Sequence, residues 1–451
     1  MLRRALSTAV ADRRFLALAV ALCLVAGLGA GAQPLLPLGL LAVALAVAAF
    51  STAPALLLLA ILLIRPSLDN IEALPSIGGV NAVGMIAAGT VVGGGLALLL
   101  RRPSLPGRGV LLLAGAFLCF AAVSLLWSFE RADGISAWIA IAMPLVVFAL
   151  AAWTVRGPDG FRRLLTVVLL SAVVPIAVGL FQLGTGRRLV KEGYASIQGT
   201  FVHPNGFGFF LLVVVSVGLV AFMESRSQPV RRALGVLVVL GALCFFMTFT
   251  RSAWVAFVVV VGLLVVLRYR RLALLAVPTL LVAVVAFPGA AEQVTGRFAD
   301  LSPTSAEYSN NSLSWRGTLR ERMLPYGQER PVVGHGFGTY LPLSNQEIGE
   351  YDYEFQDGGQ SAANLEIYPH NDYLFLFVEL GVPGVLLWLA TLIALTAVAW
   401  RARRVPELRA YAIALAGLLA MLIVISAFDN VKNYQAVLTV VCALTGGLAG
   451  A

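Results

Sequence analysis

The sequence predicts an all-α polytopic membrane protein with 12–14 transmembrane helices and one long outer loop carrying short helices. Three observations carry this. Hydrophobic residues make up 59% of the 451 and charged residues only 12%, against roughly a quarter charged in soluble domains. Mean hydropathy is +0.89. The apolar residues fall in runs long enough to cross a bilayer core, which takes about 20 residues per helix. A soluble enzyme and a disordered chain are excluded. The net charge of +9 is no nucleic-acid signal, because the basic residues sit in short clusters between the apolar runs. The period-two alternation of an outer-membrane barrel is absent.

Apolar segments run near 15–32, 35–50, 53–67, 81–100, 109–127, 135–155, 164–183, 202–222, 233–249, 252–267, 271–289, 373–399, 408–428 and 434–450. The first follows Arg3, Arg4, Arg13 and Arg14, as in a cleaved signal peptide, but the many later spans favour a first membrane helix. The second and third are short and parted only by Ser51–Pro54, so a broken helix or re-entrant pair is expected there. Three regions follow: transmembrane helices over 1–289, a long polar loop over 290–371, and C-terminal transmembrane helices over 372–451. The loop has amphipathic pieces near 313–325 and 343–355, expected as short helices on the membrane surface or over a cavity. Cys23, Cys119, Cys244 and Cys442 each lie in an apolar run and read as small buried hydrophobes.

The basic clusters orient the chain. With the N-terminus inside, twenty of the 32 Lys and Arg residues fall in inner loops, accompanied by four acids. The inner side is then +16 and the outer side −7, as the positive-inside rule requires. Both termini are expected in the cytoplasm.

All three histidines, His203, His335 and His370, then fall at the outer face. Arg251, in Thr250-Arg-Ser-Ala-Trp254, opens a span there, so positive-inside placement cannot account for it. Arg316 lies in the long loop after Trp315. Two guanidinium groups suit a phosphate-type anion through bidentate hydrogen bonds, and a neutral histidine can accept a proton from a hydroxyl. Plainer roles exist for each. His203, before Pro204 and Asn205, suits a helix start. Asn371 and Asp372 suit helix-start chemistry after His370. Glu379 lies within a span, where a carboxylate is costly and usually paired; holding an arginine or backbone amides is its favoured role. The histidine spacing matches no compact zinc motif, and no metal or cofactor is expected.

These residues also carry a family resemblance. His370-Asn-Asp-Tyr-Leu-Phe-Leu-Phe-Val-Glu-Leu-Gly-Val-Pro-Gly384 resembles the signature of the O-antigen ligase and O-antigen polymerase superfamily. Gly199-Thr-Phe-Val-His-Pro-Asn205, Thr250-Arg-Ser-Ala-Trp254, and Trp315-Arg316 followed by Pro331-Val-Val-Gly-His-Gly-Phe-Gly338 fit in the same order. The resemblance covers roughly 195–385; the first 190 residues match only as membrane helices. It implies a GT-C-like, metal-independent, inverting glycosyltransferase of the bacterial inner membrane. Its donor would be an undecaprenyl-pyrophosphate-linked oligosaccharide and its acceptor a sugar hydroxyl at the periplasmic face. In this frame His370 activates the acceptor and Arg251 and Arg316 hold the pyrophosphate, with Arg320 or Arg322 as alternatives to Arg316. His203, Asn205, Asn371, Asp372, Glu379 and His335 support the site. The partners implied are the lipid-linked donor, an acceptor glycan, the lipid bilayer and a chain-length regulator, with no nucleic acid.

Polymerase and ligase share donor and catalytic set. Acidic loop residues (Glu347, Glu350, Asp352, Glu354, Asp357, Glu366) would repel an anionic lipid A–core acceptor, which tilts the reading to a polymerase over a ligase or a protein O-oligosaccharyltransferase. A lipid-linked sugar transporter, the rival of another class, would place ionisable residues at the membrane midplane; here they gather at one face.

Overall fold

The structure is a computed structural model that describes residues 36–69, 82–187, 189–191, 194–270, 312–349 and 368–451. The expected spans near 15–32 and 271–289 lie outside the described residues, as do residues 350–355 of the second amphipathic piece. The described chain is almost entirely helical. In order come α1 (Leu36–Thr52), α2 (Pro54–Ile64), α3 (Ala82–Gly89), α4 (Gly95–Arg101), α5 (Arg108–Ser124), α6 (Arg131–Thr154), α7 (Gly157–Ser171) and α8 (Val173–Thr185). Then follow α9 (Pro204–Glu224), α10 (Gln228–Met247), α11 (Arg251–Leu267), α12 (Ser312–Glu329), α13 (Tyr340–Gly349), α14 (Asp372–Ala402), α15 (Arg409–Ile425) and α16 (Gln435–Gly450). A short antiparallel hairpin, β1 (Leu189–Lys191) with β2 (Tyr194–Ser196), joins α8 to α9. The apolar pattern had not indicated it.

Among the described residues, six helical stretches are long and apolar enough to cross a membrane, and a bent pair would make a seventh. That pair is Ala44–Thr52 with Pro54–Ser67, turned by 108°, where the sequence led us to expect a broken or re-entrant element. Pro54 causes the break, because it cannot donate to the preceding turn. Four shorter apolar helices, α5, α11, α15 and α16, complete the set.

The core sits around α9, whose apolar window is 83% buried inside the protein. A helix apolar all round is what a bundle centre needs. Helices α6 and α16 pack along much of their length, and small residues let their backbones approach. A Cβ on Gly446 would lie 2.3 Å from the Phe148 carbonyl oxygen, and one on Gly450 would lie 2.6 Å from that of Val155. Cys244 and Cys442 are buried, but Cys119 is exposed on α5. The expectation of burial fails there because α5 turns that face outward, where an apolar side chain meets lipid as readily as protein.

Contacts sort the connections into two ends. At one, Thr200 Oγ1 donates to the Pro66 carbonyl, Ser128 Oγ to the Phe337 carbonyl, and Ile197 N–H to the Met247 carbonyl. At the other, Arg268 lies 3.3 Å from Glu224. The segments expected on one membrane face therefore meet one another.

Part of the long loop docks on α14. This helix breaks at Gly381, whose φ of +64° and ψ of −167° are open to glycine alone. The break frees carbonyl groups, and the Pro331–Gly336 segment satisfies them. His335 N–H donates to the Val378 carbonyl, Gly336 N–H to that of Glu379, and Val382 N–H returns a bond to Pro331. A Cβ on Gly334 would meet the Glu379 carbonyl oxygen at 2.2 Å, which explains the glycine-rich loop in steric terms.

Candidate functional site

His370 sits immediately before α14 with φ +48°. Left-handed backbone is uncommon for a residue with a side chain and costs of order 1–3 kcal/mol. The other such residues among those described are Arg102 and Phe249, and Phe249 lies in the tight turn that presents Thr250 and Arg251. Two of the three strained positions therefore frame one site.

The neighbour of His370 is Asp429, in the turn between α15 and α16. His370 Nδ1 lies 3.5 Å from Asp429 Oδ1. The histidine side chain keeps 25% of its surface open, while that of Asp429 is 3% exposed. Three elements converge on this carboxylate. Asn205 Nδ2 donates to Oδ2 at 3.0 Å, and Tyr434 Oη donates to Oδ1 at 2.8 Å. Thr250 Oγ1 reaches Asn205 Oδ1 at 3.4 Å, a weak link to the turn that carries Arg251. Burial would raise the Asp429 pKa, but the His370 and Tyr434 contacts and the Arg316 charge outweigh it and hold the carboxyl below its ordinary value. Asp429 is thus an anion at neutral pH, placed to steady a positive imidazole.

Arg251 is the first residue of α11, directly after Thr250. Arg316 lies in the first turns of α12, half-buried, with a buried Nε that has no hydrogen-bond partner among the described residues. Its charge acts on Asp429 and helps to hold that carboxyl low.

His203 is the N-cap of α9, and its Nδ1 accepts the Asn205 N–H at 3.0 Å. This fixes Asn205, whose side chain reaches Asp429. Asn371 caps α14, its Oδ1 accepting the Tyr373 and Leu374 N–H groups at 3.0 Å. Asp372 is buried and faces the α15–α16 turn, accepting from Ser426 Oγ and Lys432 N–H, both at 3.0 Å. Glu379 Oε1 accepts the Gly338 and Tyr340 N–H groups at 3.0 and 3.1 Å, so backbone amides rather than an arginine are its partners. His335 stands apart: its Nε2 is 2.9 Å from the Tyr326 carbonyl oxygen, and it ties α12 to the glycine-rich loop. Among the described residues, no group of three or more His, Cys, Asp or Glu side chains is gathered as metal ligands.

Asp429, Tyr434 and Lys432 were not singled out from sequence. The available signal was the polar run Asp429-Asn-Val-Lys-Asn433 between two apolar segments.

Fold and site define a polytopic helical membrane protein that gathers a histidine, a buried carboxylate and two arginines at one end of its bundle. Residues 236–389, about a third of the chain, match the protein-family model described as O-antigen ligase. The matched segment includes Arg251, Arg316, His335, His370 and Glu379, but not His203, Asn205 or Asp429. No curated protein matches the chain.

Proposed function

We propose that the protein transfers a glycan from a polyprenyl-pyrophosphate donor to a sugar hydroxyl at the periplasmic face of the inner membrane, with inversion and without a metal ion. The observation that supports this best is the His370–Asp429 pair, 3.5 Å apart, linked through Asn205 to Thr250 in the turn that bears Arg251.

His370 takes the proton from the acceptor hydroxyl as its oxygen attacks the anomeric carbon. The bond from that carbon to the pyrophosphate oxygen breaks with its electron pair leaving on oxygen. The leaving group is already an anion and needs no general acid. Arg251 and Arg316 neutralise the charge that builds on it, the Nε of Arg316, without a hydrogen-bond partner among the described residues, being one available donor. Asp429 stabilises the imidazolium that forms. Attack opposite the leaving group inverts the anomeric centre.

The acceptor in this reading is the sugar of another lipid-linked repeat unit, which makes the protein a polysaccharide polymerase with both termini in the cytoplasm. The acidic long loop supports that choice, since it would repel an anionic lipid A–core acceptor. The description of the matched family model favours a second reading, a ligase. Purified protein given lipid-linked repeat units in a chelator, with no other acceptor, separates the two. A ladder of longer lipid-linked chains is expected of the polymerase. Transfer only after lipid A–core is added would establish the ligase instead.

A further inference from the structure

Beneath the histidine–aspartate pair lies a buried charge cluster that transfer chemistry does not use. Lys432 is 4% exposed. A buried lysine is rare because its ammonium must shed water. Asp372, Phe375 and Glu379 lie at i, i+3 and i+7 on α14, one face of one helix, and Lys432 lies along that face. Its Nζ is 3.2 Å from the centre of the Phe375 ring, and Tyr340 stacks on Phe375 with ring centres 4.4 Å apart. The two distances put the ammonium and the Tyr340 ring on opposite faces of Phe375. Nζ also donates to Asn433 Oδ1 at 3.1 Å. The charges of Asp372 and Glu379 both act on Lys432; burial lowers its pKa and the two carboxylates oppose that.

The backbone of the same turn is bound to α14 on both sides of Asp429. Asp372 N–H donates to the Ser426 carbonyl at 2.7 Å, Ser426 Oγ donates to Asp372 Oδ2, and so does Lys432 N–H. Asp429 stands midway between Ser426 and Lys432. His370 stands two residues before Asp372. The clip therefore sets the spacing between acid and base.

We propose that Lys432 is a positioning residue for the transfer reaction: its ammonium, seated over the Phe375 ring and bonded to Asn433 Oδ1, locks the 426–434 turn so that Asp429 meets His370. The proposal rests on the reading of His370 and Asp429 as the catalytic pair. Apolar packing would fill the same space at lower electrostatic cost; the ion cluster instead fixes one register of the turn.

The test uses the full-length protein in nanodiscs with lipid-linked repeat units, measuring kcat and donor KM. The wild-type rate reports on the underlying reading, and ratios between variants report on Lys432. Lys432→Met keeps the stem and removes the charge. We expect kcat to fall about 100-fold, the scale of a small misplacement of catalytic groups, with donor KM within about threefold. Because this variant leaves two buried carboxylates without their cation, it is paired with Lys432→Met/Glu379→Gln. Glutamine retains an oxygen for both N–H bonds and restores the local charge balance, so folded yield recovers while kcat stays low. In an Asp429→Asn background, Lys432→Met should cost no more than about threefold further, since both act through one contact. Wild-type kcat in the charge-balanced double variant would overturn the proposal and leave Lys432 a folding role alone. So would losses that multiply fully in the Asp429→Asn background.

Discussion

Asp429→Asn isolates what the buried carboxylate does for His370. The substitution keeps size and shape. An amide oxygen can still accept from Asn205 or Tyr434, so the packing of the turn survives. What goes is one negative charge 3.5 Å from the imidazole. At an effective dielectric near 20, opposite charges about 4 Å apart attract by about 4 kcal/mol. That figure is the ceiling on what Asp429 lends to the imidazolium, and the partly open side of His370 reduces it. About 3 to 4 kcal/mol of transition-state stabilisation corresponds to roughly a 10²- to 10³-fold loss in kcat, at 1.36 kcal/mol per decade. Donor KM should hardly move, because the charge matters once the proton has been taken. The assay is steady-state elongation of lipid-linked repeat units by purified protein in nanodiscs, with thermal unfolding measured alongside to show that the variant is folded. A folded Asp429→Asn protein within threefold of the wild-type kcat would falsify the pairing of these two residues.

Further consequences follow from the same geometry. His370→Ala should remove transfer while the protein inserts and melts as before, and Arg251→Ala should do the same with weakened donor binding; near-normal turnover in either would take that residue out of the site. Glu379→Ala frees two buried N–H groups, each costing about 1–3 kcal/mol, so purified yield and Tm should drop along with activity. Glu379→Gln, keeping both bonds, should lie nearer the wild type; equal Tm values for the two variants would contradict this role. The lowered pKa of Asp429 gives stability that is fully present above the ordinary carboxyl value of 3.8 and drains away as pH falls through the lower folded value. A Tm-against-pH curve should therefore show the wild type losing its advantage over Asp429→Asn only below about pH 4; an advantage already lost near pH 6 would mean that the carboxyl is not held low. Gly446→Leu should prevent α16 from seating on α6, since a Cβ there would lie 2.3 Å from the Phe148 carbonyl oxygen, and monodisperse protein at wild-type yield would argue against that packing.

The fold was legible wherever lipid dictates the residue type. A bilayer demands apolar runs of set length, and helices such as Pro204–Glu224 and Gln228–Met247 lie within a few residues of the runs read from composition. The Ser51–Pro54 interruption signalled the bend for the same reason. The hairpin at 189–196 escaped notice because its strands are three residues long, too short for a period to show. At the site, His370, Arg251 and Arg316 stood out because charge and imidazole are scarce in such a chain. Asp429 did not, since one acid in a short loop looks like any solvated turn. Its meaning comes from a contact across 59 residues of sequence with His370 and across 224 with Asn205. No local pattern encodes such separations. Glu379 shows the intermediate case: its place in a span announced a partner, and its partners proved to be two amides of the glycine-rich loop.

The most direct test of the central claim follows the leaving group. Wild-type and His370→Ala proteins would be incubated with an undecaprenyl-pyrophosphate-linked repeat unit in excess chelator, and free undecaprenyl pyrophosphate would be quantified together with glycan products. The account predicts one undecaprenyl pyrophosphate released per glycosidic bond formed, an inverted anomeric linkage in the product, and neither release nor product from His370→Ala. Undiminished release from His370→Ala, or a requirement for added metal, would contradict it.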